Sequence, residues 1–362
     1  MVQLTWPHKD TDWAPMLDEI TAVYEEIARE ITKREGLIIV APEGVQLNVQ
    51  CSMSNVQCSM SNVQCSMSNV QCSTFNVQCP TNDTWARDHG FITVETYSPP
   101  SEGSGEAAAL LLDFCFNGWG DKFEATLDNQ INRHLYEQGL VRGTYEDHLD
   151  FVLEGGSIES DGKGTIFTTE CCLMAPHRNQ PLTKQEIEER LKLWLGAERI
   201  VWLQHGSLIG DDTDGHIDTL ARICPDDTIL YTGGDDDHPD LALMEEELQT
   251  LRTLEGKPYR LLKLPLPRPI WASPNPSEGG EKVPPSPDPS EGGETERLPA
   301  TYANYLVING AVLVPTYNQP DLDAEALRIV GEAFPDRDIV GIDCRPVILQ
   351  HGSLHCCTMQ YY

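Results

Sequence analysis

LTKQEIEERLKLWLGAERIVWL (residues 182–203) contains a complete helix-to-strand unit. Thr183 and Glu186 have the spacing of a capping box, in which each side chain accepts a hydrogen bond from the other residue's backbone N–H. Apolar residues then recur at helical spacing up to Gly196, and RIVWL (199–203) predicts a strand after it. The stretch therefore predicts an amphipathic helix that leads into a strand.

The same helix-to-strand order recurs twice in the C-terminal half of the chain. LALMEEELQTLRTLEG (241–256) precedes YRLLKLPL (259–266), and DAEALRIVGEAF (323–334) precedes DIVGIDC (338–344). YLVING and AVLVPTY (305–317) predict two strands that turn at Asn309-Gly310, a dipeptide favoured in tight hairpins. This alternation predicts an α/β fold built from similar units.

Four short polar stretches lie between these units. They are TWARDHG (84–90), LEGGSIE (153–159), GDDTDGHID (210–218) and GSLHCCT (352–358). Their markers Asp88, Glu154, His216 and Cys356 are separated by 66, 62 and 140 residues, and 140 is twice 70. A unit of 62 to 70 residues fits about five times into the 362-residue chain. The spacing predicts five pseudo-symmetric modules that each send a loop to a common centre, with one module contributing no marker.

Two low-complexity segments interrupt this pattern. NVQC recurs at 48, 55, 62, 69 and 76, but the seven-residue period provides no seam of large aliphatic residues for a coiled coil. We interpret the repeat, at about 48–79, as an insertion without catalytic role, made of short strands or disordered. Metal binding by the repeat is disfavoured because it has no CxxC pair. The second segment, 267–299, is rich in Pro and Gly and is expected to form an exposed loop.

The formal net charge of −32, from 57 acidic and 25 basic residues, disfavours nucleic acid as a partner and favours cationic ligands. No run reaches the ~18 apolar residues needed to span a bilayer, and the N-terminus does not resemble a secretion signal. We therefore expect no membrane association and a cytoplasmic location, where the 12 cysteines stay reduced. The oligomeric state stays open, a homo-oligomer included.

Several carboxylates, one histidine and one thiol allow two kinds of chemistry. A zinc site is disfavoured because His216 and Asp218 supply a single imidazole, whereas zinc sites usually have a second histidine or paired cysteines. Covalent catalysis on a guanidinium cation needs carboxylates that match its planar fork, a cysteine that attacks its carbon and a histidine that moves protons. The residue types favour covalent catalysis.

These motifs resemble those of the agmatine deiminase and porphyromonas-type peptidylarginine deiminase family, within the guanidine-modifying superfamily. The resemblance covers most of the chain: TWPHKDTDWAP (5–15), PTNDTWARDHG (80–90), the EGG element (154–156), GDDTDGHID, RLPATYANYLVINGAVLVPTYNQPD (297–321) and GSLHCCTMQ (352–360). It implies one catalytic domain over residues 1–362, a five-bladed pseudo-symmetric α/β propeller (the pentein fold) of ββαβ modules, with the active site on its axis.

The resemblance also implies which residues do the chemistry. The cysteine directly after His355 is the family's nucleophile, which assigns that role to Cys356 and leaves Cys357 in the place of an aliphatic residue. Glu154 would hold the substrate and assist proton transfer. His216 would act as general acid and base around a covalent S-alkylthiouronium intermediate. The resemblance implies no metal and no organic cofactor.

Substrate recognition is implied in the same way. Asp88 and Asp218 would grip the guanidinium nitrogens, and Trp85 would line the pocket. The residues themselves leave open whether Asp212 or Asp214 receives the primary ammonium of agmatine or only shapes the loop; an acidic pocket end would reject arginine, which has a carboxylate there. We expect agmatine as the substrate, with N-carbamoylputrescine and ammonia as products. Peptidyl-arginine is the alternative substrate, and a catalytically silent scaffold protein is the alternative role.

Overall fold

The computed structural model describes residues 1–47, 49, 73–96, 108–272 and 296–361. Its strands are β1 Val2–Thr5, β2 Leu37–Ala41, β3 Thr74–Gln78, β4 Ile92–Thr96, β5 Ala108–Cys115, β6 Thr144–Val152, β7 Ile158–Ser160, β8 Thr165–Thr169, β9 Arg199–Leu203, β10 Ala221–Cys224, β11 Thr228–Thr232, β12 Arg260–Leu264, β13 Leu306–Ile308, β14 Ala311–Thr316, β15 Asp338–Asp343 and β16 Thr358–Gln360. Its α-helices are α1 Leu17–Thr32, α2 Ala86–His89, α3 Gly118–Asp121, α4 Ile131–Glu137, α5 Glu170–Leu173, α6 Lys184–Leu195, α7 Pro239–Thr250 and α8 Pro320–Ala333.

These strands form five small sheets, and four of them have the same three-stranded pattern. In each, two consecutive strands form an antiparallel pair, one or two helices follow, and the third strand pairs in parallel with the second. The four sheets are β4-β5-β6, β7-β8-β9, β10-β11-β12 and β13-β14-β15. This is the ββαβ module implied by the sequence resemblance.

The fifth sheet joins the two ends of the described chain. β16 pairs antiparallel with β1, and β1 pairs in parallel with β2 after α1, so the β16-β1-β2 unit repeats the module pattern. The pairing of the first strand with the last closes a ring of five modules. The α/β propeller expected from the sequence is therefore confirmed.

The end of the NVQC repeat forms a strand. Thr74–Gln78, which includes most of the last NVQC copy, is strand β3 and pairs in parallel with Leu37–Ala41. Val77 is buried there, because the alternation of apolar and polar residues suits a strand with one covered face. This is a short strand of the kind expected for the repeat, and the insertion bounds of about 48–79 stay a prediction. The other copies, in 48–72, lie outside the described residues except for Val49, as does most of the Pro-rich segment, 273–295.

Helices pack against the sheets through apolar faces with helical spacing. Ile20, Tyr24, Ile27 and Ile31 of α1 are fully buried, and each large side chain of this kind contributes about 1.5–3 kcal/mol. In α6 the capping box predicted for Thr183 is present. In the part of the chain that the structure describes, no helix is both long and apolar enough to cross a bilayer.

Candidate active site

Five connections join consecutive modules. They are residues 79–91, 153–157, 204–220, 265–305 and 344–357, and each lies between the last strand of one sheet and the first strand of the next. Four of these connections carry the residues that mark the polar stretches. The remaining one, 265–305, carries Asn304, so the module expected to contribute no marker also reaches the centre.

Gly156 lies at the centre of the polar cluster. An atom in the position of a Cβ on this glycine would lie 2.6 Å from His216 Nδ1, 2.9 Å from Asp88 Oδ1 and 3.1 Å from Asp218 Oδ2. The Gly156 N–H donates to Asp88 Oδ1 at 2.9 Å, and His216 Nδ1 lies 3.7 Å from the same oxygen. Two segments that are far apart in the sequence, one with Asp88 and one with His216 and Asp218, thus converge on one glycine, where any larger residue would displace them.

Cys356 lies at the same centre and is 5% exposed. Its Sγ is 3.4 Å from Asn304 Oδ1, which also accepts a hydrogen bond at 2.9 Å from the backbone N–H of His355. The Cys356 carbonyl accepts from the Arg87 N–H, on the segment that carries Asp88. Cys357 points elsewhere, because its thiol donates to the Ser353 carbonyl. The two adjacent cysteines therefore lie in different environments.

Asp218 is held by a chain of buried side chains. His355 Nδ1 lies 2.7 Å from Asp218 Oδ2, and His355 Nε2 lies 3.1 Å from an Arg222 guanidinium nitrogen. Arg222 in turn forms an ion pair with Glu159. This chain fixes one oxygen of Asp218, while the other, Oδ1, is buried without a hydrogen-bond partner among the described residues.

Glu154 is held in a similar way by Arg178. The Arg178 Nε donates to Glu154 Oε1 at 3.0 Å, and its Nη1 donates to Asp214 Oδ2 at 2.6 Å. Lys122 donates to Asp214 Oδ1 at 2.9 Å, so both oxygens of Asp214 already have a cationic partner. Glu154 Oε2 is buried and has no partner in the described part of the chain.

Two tryptophan side chains line the site. Trp85 is 3% exposed, its Nε1 donates to Asp83 Oδ2 at 2.9 Å, and its ring lies against Gly352 in the loop that carries Cys356. Trp119 contacts the Trp85 ring edge-on, with centroids 6.2 Å apart, and its Nε1 donates to Asp88 Oδ2 at 3.0 Å. Both oxygens of Asp88 thus accept one hydrogen bond each.

Burial and crowding of like charge shift the pKa of every acid at the centre upward. Burial, with the carboxylates of Asp218 and Glu154, raises the pKa of Asp88 well above its usual range. Burial raises the pKa of Asp218 to about 7, although Arg222 and Arg87 act in the opposite direction. Burial also raises the pKa of Glu154 against the effect of Arg178. These shifts favour the protonated acids in the free protein, and a bound cation would favour their anions.

The thiol and the imidazole are shifted toward their neutral forms. Burial, followed by the charges of Asp218 and Asp88, raises the pKa of the Cys356 thiol well above its usual range. Burial, with the guanidinium of Arg178, lowers the pKa of His216 well below its usual value. Neither ring nitrogen of His216 has a hydrogen-bond partner among the described residues. Both shifts favour the neutral forms, a thiol at Cys356 and an uncharged imidazole at His216.

The structure brings together most of the residues singled out from the sequence. Asp88, Asp218, His216, Glu154 and Cys356 come from four connections at this centre, and Trp85 packs beside them. Asp212 and Asp214 lie at its edge, next to Lys122, which donates to the Asp212 carbonyl at 2.6 Å. Burial raises the pKa of Asp212 to about 6.

Sequence reasoning did not identify three residues that contact this cluster, Trp119, Arg178 and Asn304, nor Arg222, which reaches Asp218 through His355. The one local signal among these is the Gly-Trp-Gly sequence in FNGWGDKF (116–123). In the structure Trp119 has a left-handed φ of 57°. A non-glycine residue in that region is uncommon and often marks a functional position. The other three depend on contacts between modules, which no local pattern contains.

One group of possible metal ligands involves this cluster. Glu154, Cys172 and His216 each offer an atom, these atoms lie within 4.8 Å of one another, and all three residues are buried. The expectation that the protein uses no metal cofactor stays a prediction.

Known proteins share both the sequence and the fold. The profile of the Porphyromonas-type peptidyl-arginine deiminase family matches residues 1–361. An agmatine deiminase from Pseudomonas aeruginosa is 31% identical over 367 residues, covering 99% of this chain and 91% of that protein. A substrate-bound agmatine deiminase from C. jejuni is 32% identical, with a TM-score of 0.79 over 100% of this chain and 92% of the other. One from Enterococcus faecalis is 25% identical, with a TM-score of 0.75 over 99% and 92%. The chain therefore belongs to the Porphyromonas-type peptidyl-arginine deiminase family.

Proposed function

We propose that this protein is an agmatine deiminase, which hydrolyses agmatine to N-carbamoylputrescine and ammonia. The convergence of Asp88, Asp218 and His216 on Gly156, beside the Cys356 thiol, is the observation that carries the proposal. A buried set of carboxylates is costly unless a cation neutralises it, and a guanidinium is a planar cation with five donors. Relatives of the same family named agmatine deiminase support this choice of substrate.

The guanidinium is bound by carboxylate oxygens that lack a partner. Glu154 Oε2 and Asp218 Oδ1 are buried without hydrogen bonds among the residues described, so each can accept from the cation. Asp88 adds a third carboxylate, since each of its oxygens has a second lone pair available. His355 and Arg178 keep Asp218 and Glu154 oriented, so the substrate meets preorganised acceptors.

Binding of the cation also activates the nucleophile. In the free protein, burial and the negative charge that Asp218 and Asp88 can carry oppose formation of an anion at Cys356. A bound guanidinium compensates that charge, so the Cys356 proton can pass to the neutral His216 imidazole. The thiolate sulfur then forms a bond to the guanidinium carbon and gives a tetrahedral adduct.

Two proton transfers through His216 complete the reaction. The imidazolium returns its proton to one –NH₂ of the adduct, the C–N bond breaks, and ammonia leaves an S-alkylthiouronium on Cys356. His216 then removes a proton from water, whose oxygen attacks the same carbon. As the C–S bond breaks, the hydroxyl proton of the adduct passes to the Cys356 sulfur, the His216 imidazolium releases its proton to solvent, and the ureido product leaves.

Asp212 is the better candidate for the ammonium end of agmatine. Asp214 already pairs with Arg178 and Lys122. Asp212 is half-buried, and burial keeps its pKa at about 6, so a nearby ammonium would stabilise its anion. An Asp212→Asn variant should have a higher KM for agmatine and a nearly unchanged kcat.

Parallel assays test the substrate. Ammonia release is measured with agmatine, free arginine and a peptide with a blocked arginine residue. We expect agmatine to react with a kcat/KM at least about 100-fold above the other two, because a paired ammonium is exchanged for a repelled carboxylate or an amide. Preferential reaction of the peptide would establish the alternative substrate. Inactivity toward all three would favour a scaffold role.

A further inference from the structure

A second thiol lies beside the proposed catalytic groups. Cys172, on α5, is fully buried, and no step of the proposed reaction uses it. Its Sγ, a ring nitrogen of His216 and a carboxylate oxygen of Glu154 lie within 4.8 Å of one another. Cys356 is not a member of this group.

The two residues near Cys172 each have polar atoms that can still bind a ligand. Glu154 Oε2 and both ring nitrogens of His216 are buried and lack hydrogen-bond partners among the described residues. Such atoms are rare in folded proteins and usually indicate a ligand or water. A guanidinium would use the carboxylate but gains little from a thiol, which is a weak acceptor. The combination of sulfur, imidazole and carboxylate instead matches a thiophilic divalent cation.

We propose that a thiophilic divalent cation, represented by Zn²⁺, binds Cys172, His216 and Glu154 and inhibits the enzyme. Zinc bonds are about 2.3 Å to sulfur, 2.0–2.1 Å to nitrogen and 2.0–2.2 Å to oxygen. Ligand atoms around one such ion lie roughly 3.3–3.8 Å apart, so small side-chain rotations close this group around it. The Cys172 thiol releases its proton to solvent when it binds the ion, and water takes the fourth position. Mg²⁺ and Ca²⁺ prefer oxygen ligands and are excluded by this set.

The inhibition follows from shared ligands, and this part of the inference rests on the proposed function. The ion and the guanidinium both need Glu154, and the ion also removes His216 from proton transfer. Zinc should therefore raise the apparent KM for agmatine and leave kcat at saturating agmatine unchanged. Mg²⁺ at the same concentration should change neither constant.

Kinetic measurements on Cys172 variants test the site. In chelator-free buffer, Cys172→Ala and Cys172→Ser should need at least about tenfold more Zn²⁺ for half inhibition than the unsubstituted protein, with zinc-free kcat/KM within about twofold. Cys171→Ser is the matched control, because Cys171 is the exposed neighbour on the same helix and is not in the group. It should keep full zinc sensitivity. Unchanged sensitivity in both Cys172 variants would overturn the proposal.

Binding measured without turnover separates this inference from the proposed function. Cys356→Ala protein, which has no nucleophile, should still bind one Zn²⁺ in competition with a chromophoric chelator. The Cys172→Ala/Cys356→Ala protein should bind it at least about tenfold more weakly. If zinc binding instead disappears in Cys356→Ala, the ion uses the nucleophile and the proposed ligand set is wrong. Zinc binding through Cys172 in a protein without deiminase activity would leave the metal site standing and reject only the catalytic assignment.

Discussion

Adjacent cysteines at 356 and 357 have different chemistry because they face different surroundings. Cys356 contacts Asn304 and lies within the field of Asp88 and Asp218, whereas Cys357 is fully buried and donates to a backbone carbonyl. We predict that Cys356→Ala lowers kcat by at least about 10³-fold. Cys357→Ala should keep kcat within about threefold and lower the free energy of unfolding by about 1–2 kcal/mol. Equal loss of activity in the two variants, measured by ammonia release, would contradict the assignment.

Trp119 gives a second prediction at the residue scale. Its indole N–H is one of two donors to Asp88 and favours the anion that binds substrate. Trp119→Phe keeps a ring against Phe116 but removes that bond, and a hydrogen bond to a charged group contributes about 1.5–3 kcal/mol. KM for agmatine should therefore rise about tenfold or more, since each ~1.4 kcal/mol is tenfold.

Trp202→Phe is the control for this experiment. Trp202 Nε1 donates to Glu188 Oε2 at 3.1 Å on the surface of α6, away from the cluster. This variant loses the same kind of hydrogen bond, so its KM should not change. A similar KM in both variants would show that Trp119 does not act on Asp88.

The sequence identifies the reactive residues better than the residues that hold them. Asp88, Glu154, His216 and Cys356 lie in polar, glycine-containing stretches that are conspicuous between ordinary strands. Asn304 lies instead in TYANY, where nothing distinguishes its amide from a surface residue. Its role follows only from the position of its oxygen, 3.4 Å from the Cys356 thiol across a module boundary.

At the scale of the elements, glycines decide how closely segments approach. Gly156 has no room for a side chain, because a Cβ would lie 2.6 Å from His216 Nδ1 and 2.9 Å from Asp88 Oδ1. We predict that Gly156→Ala lowers kcat/KM by about 100-fold or more, since small displacements of catalytic groups have effects of that size. Kinetics with agmatine measure the loss.

Gly331 supplies the opposite case within helix α8. A Cβ there would meet only Ile339 Cγ1, at an ordinary contact distance of 3.6 Å. Gly331→Ala should raise the free energy of unfolding by about 0.5–1 kcal/mol, because alanine loses less backbone entropy in a helix. Activity should not change. A Gly156→Ala protein with full activity, or a destabilised Gly331→Ala protein, would contradict this account of packing.

The elements themselves are well predicted where local signals agree. The helix expected after Thr183 spans Lys184–Leu195, and the strand expected at 199–203 spans those residues. The hairpin at Asn309-Gly310 is also present, with Gly310 at a φ of 73°. Strand β3 was not separated from the NVQC repeat, because its pairing with β2 depends on tertiary contact rather than on local sequence.

For the whole molecule, the spacing of the polar markers predicts the number of modules but not how the ring closes. Closure comes from the pairing of Val2 with Gln360 and of Leu4 with Thr358, residues at opposite ends of the described chain. Neither end strand has an unusual sequence. The closed ring then places five connections at one centre and buries acids that would be solvated on an open surface.

These buried acids make the stability of the whole molecule depend on pH. Burial raises the pKa of Asp128 and Asp218 to about 7, whereas an unperturbed aspartate has a value near ~3.9. Between these values the folded protein holds protons that the unfolded chain has lost, so the free energy of unfolding falls as pH rises. Burial lowers the pKa of His216 and His355, so these residues make the free energy of unfolding rise with pH. Their effect lies mainly below pH ~6.5, the ordinary pKa of histidine. We therefore predict that the Tm falls by a few degrees between about pH 6.5 and 8 at constant ionic strength.

Asp128 allows this prediction to be separated from the general repulsion among the acidic residues. Its Oδ1 accepts from the backbone N–H groups of Asn82 at 2.8 Å and Asp83 at 3.4 Å, while its Oδ2 is buried without a partner in the described part of the chain. Asp128→Asn keeps an amide oxygen for these donors and removes the titrating proton. Its Tm, measured by calorimetry, should fall less between pH 6.5 and 8 than that of the unsubstituted protein. An equal fall in both proteins would mean that Asp128 ionises at the same pH in the folded and unfolded chains, and that burial does not control its charge.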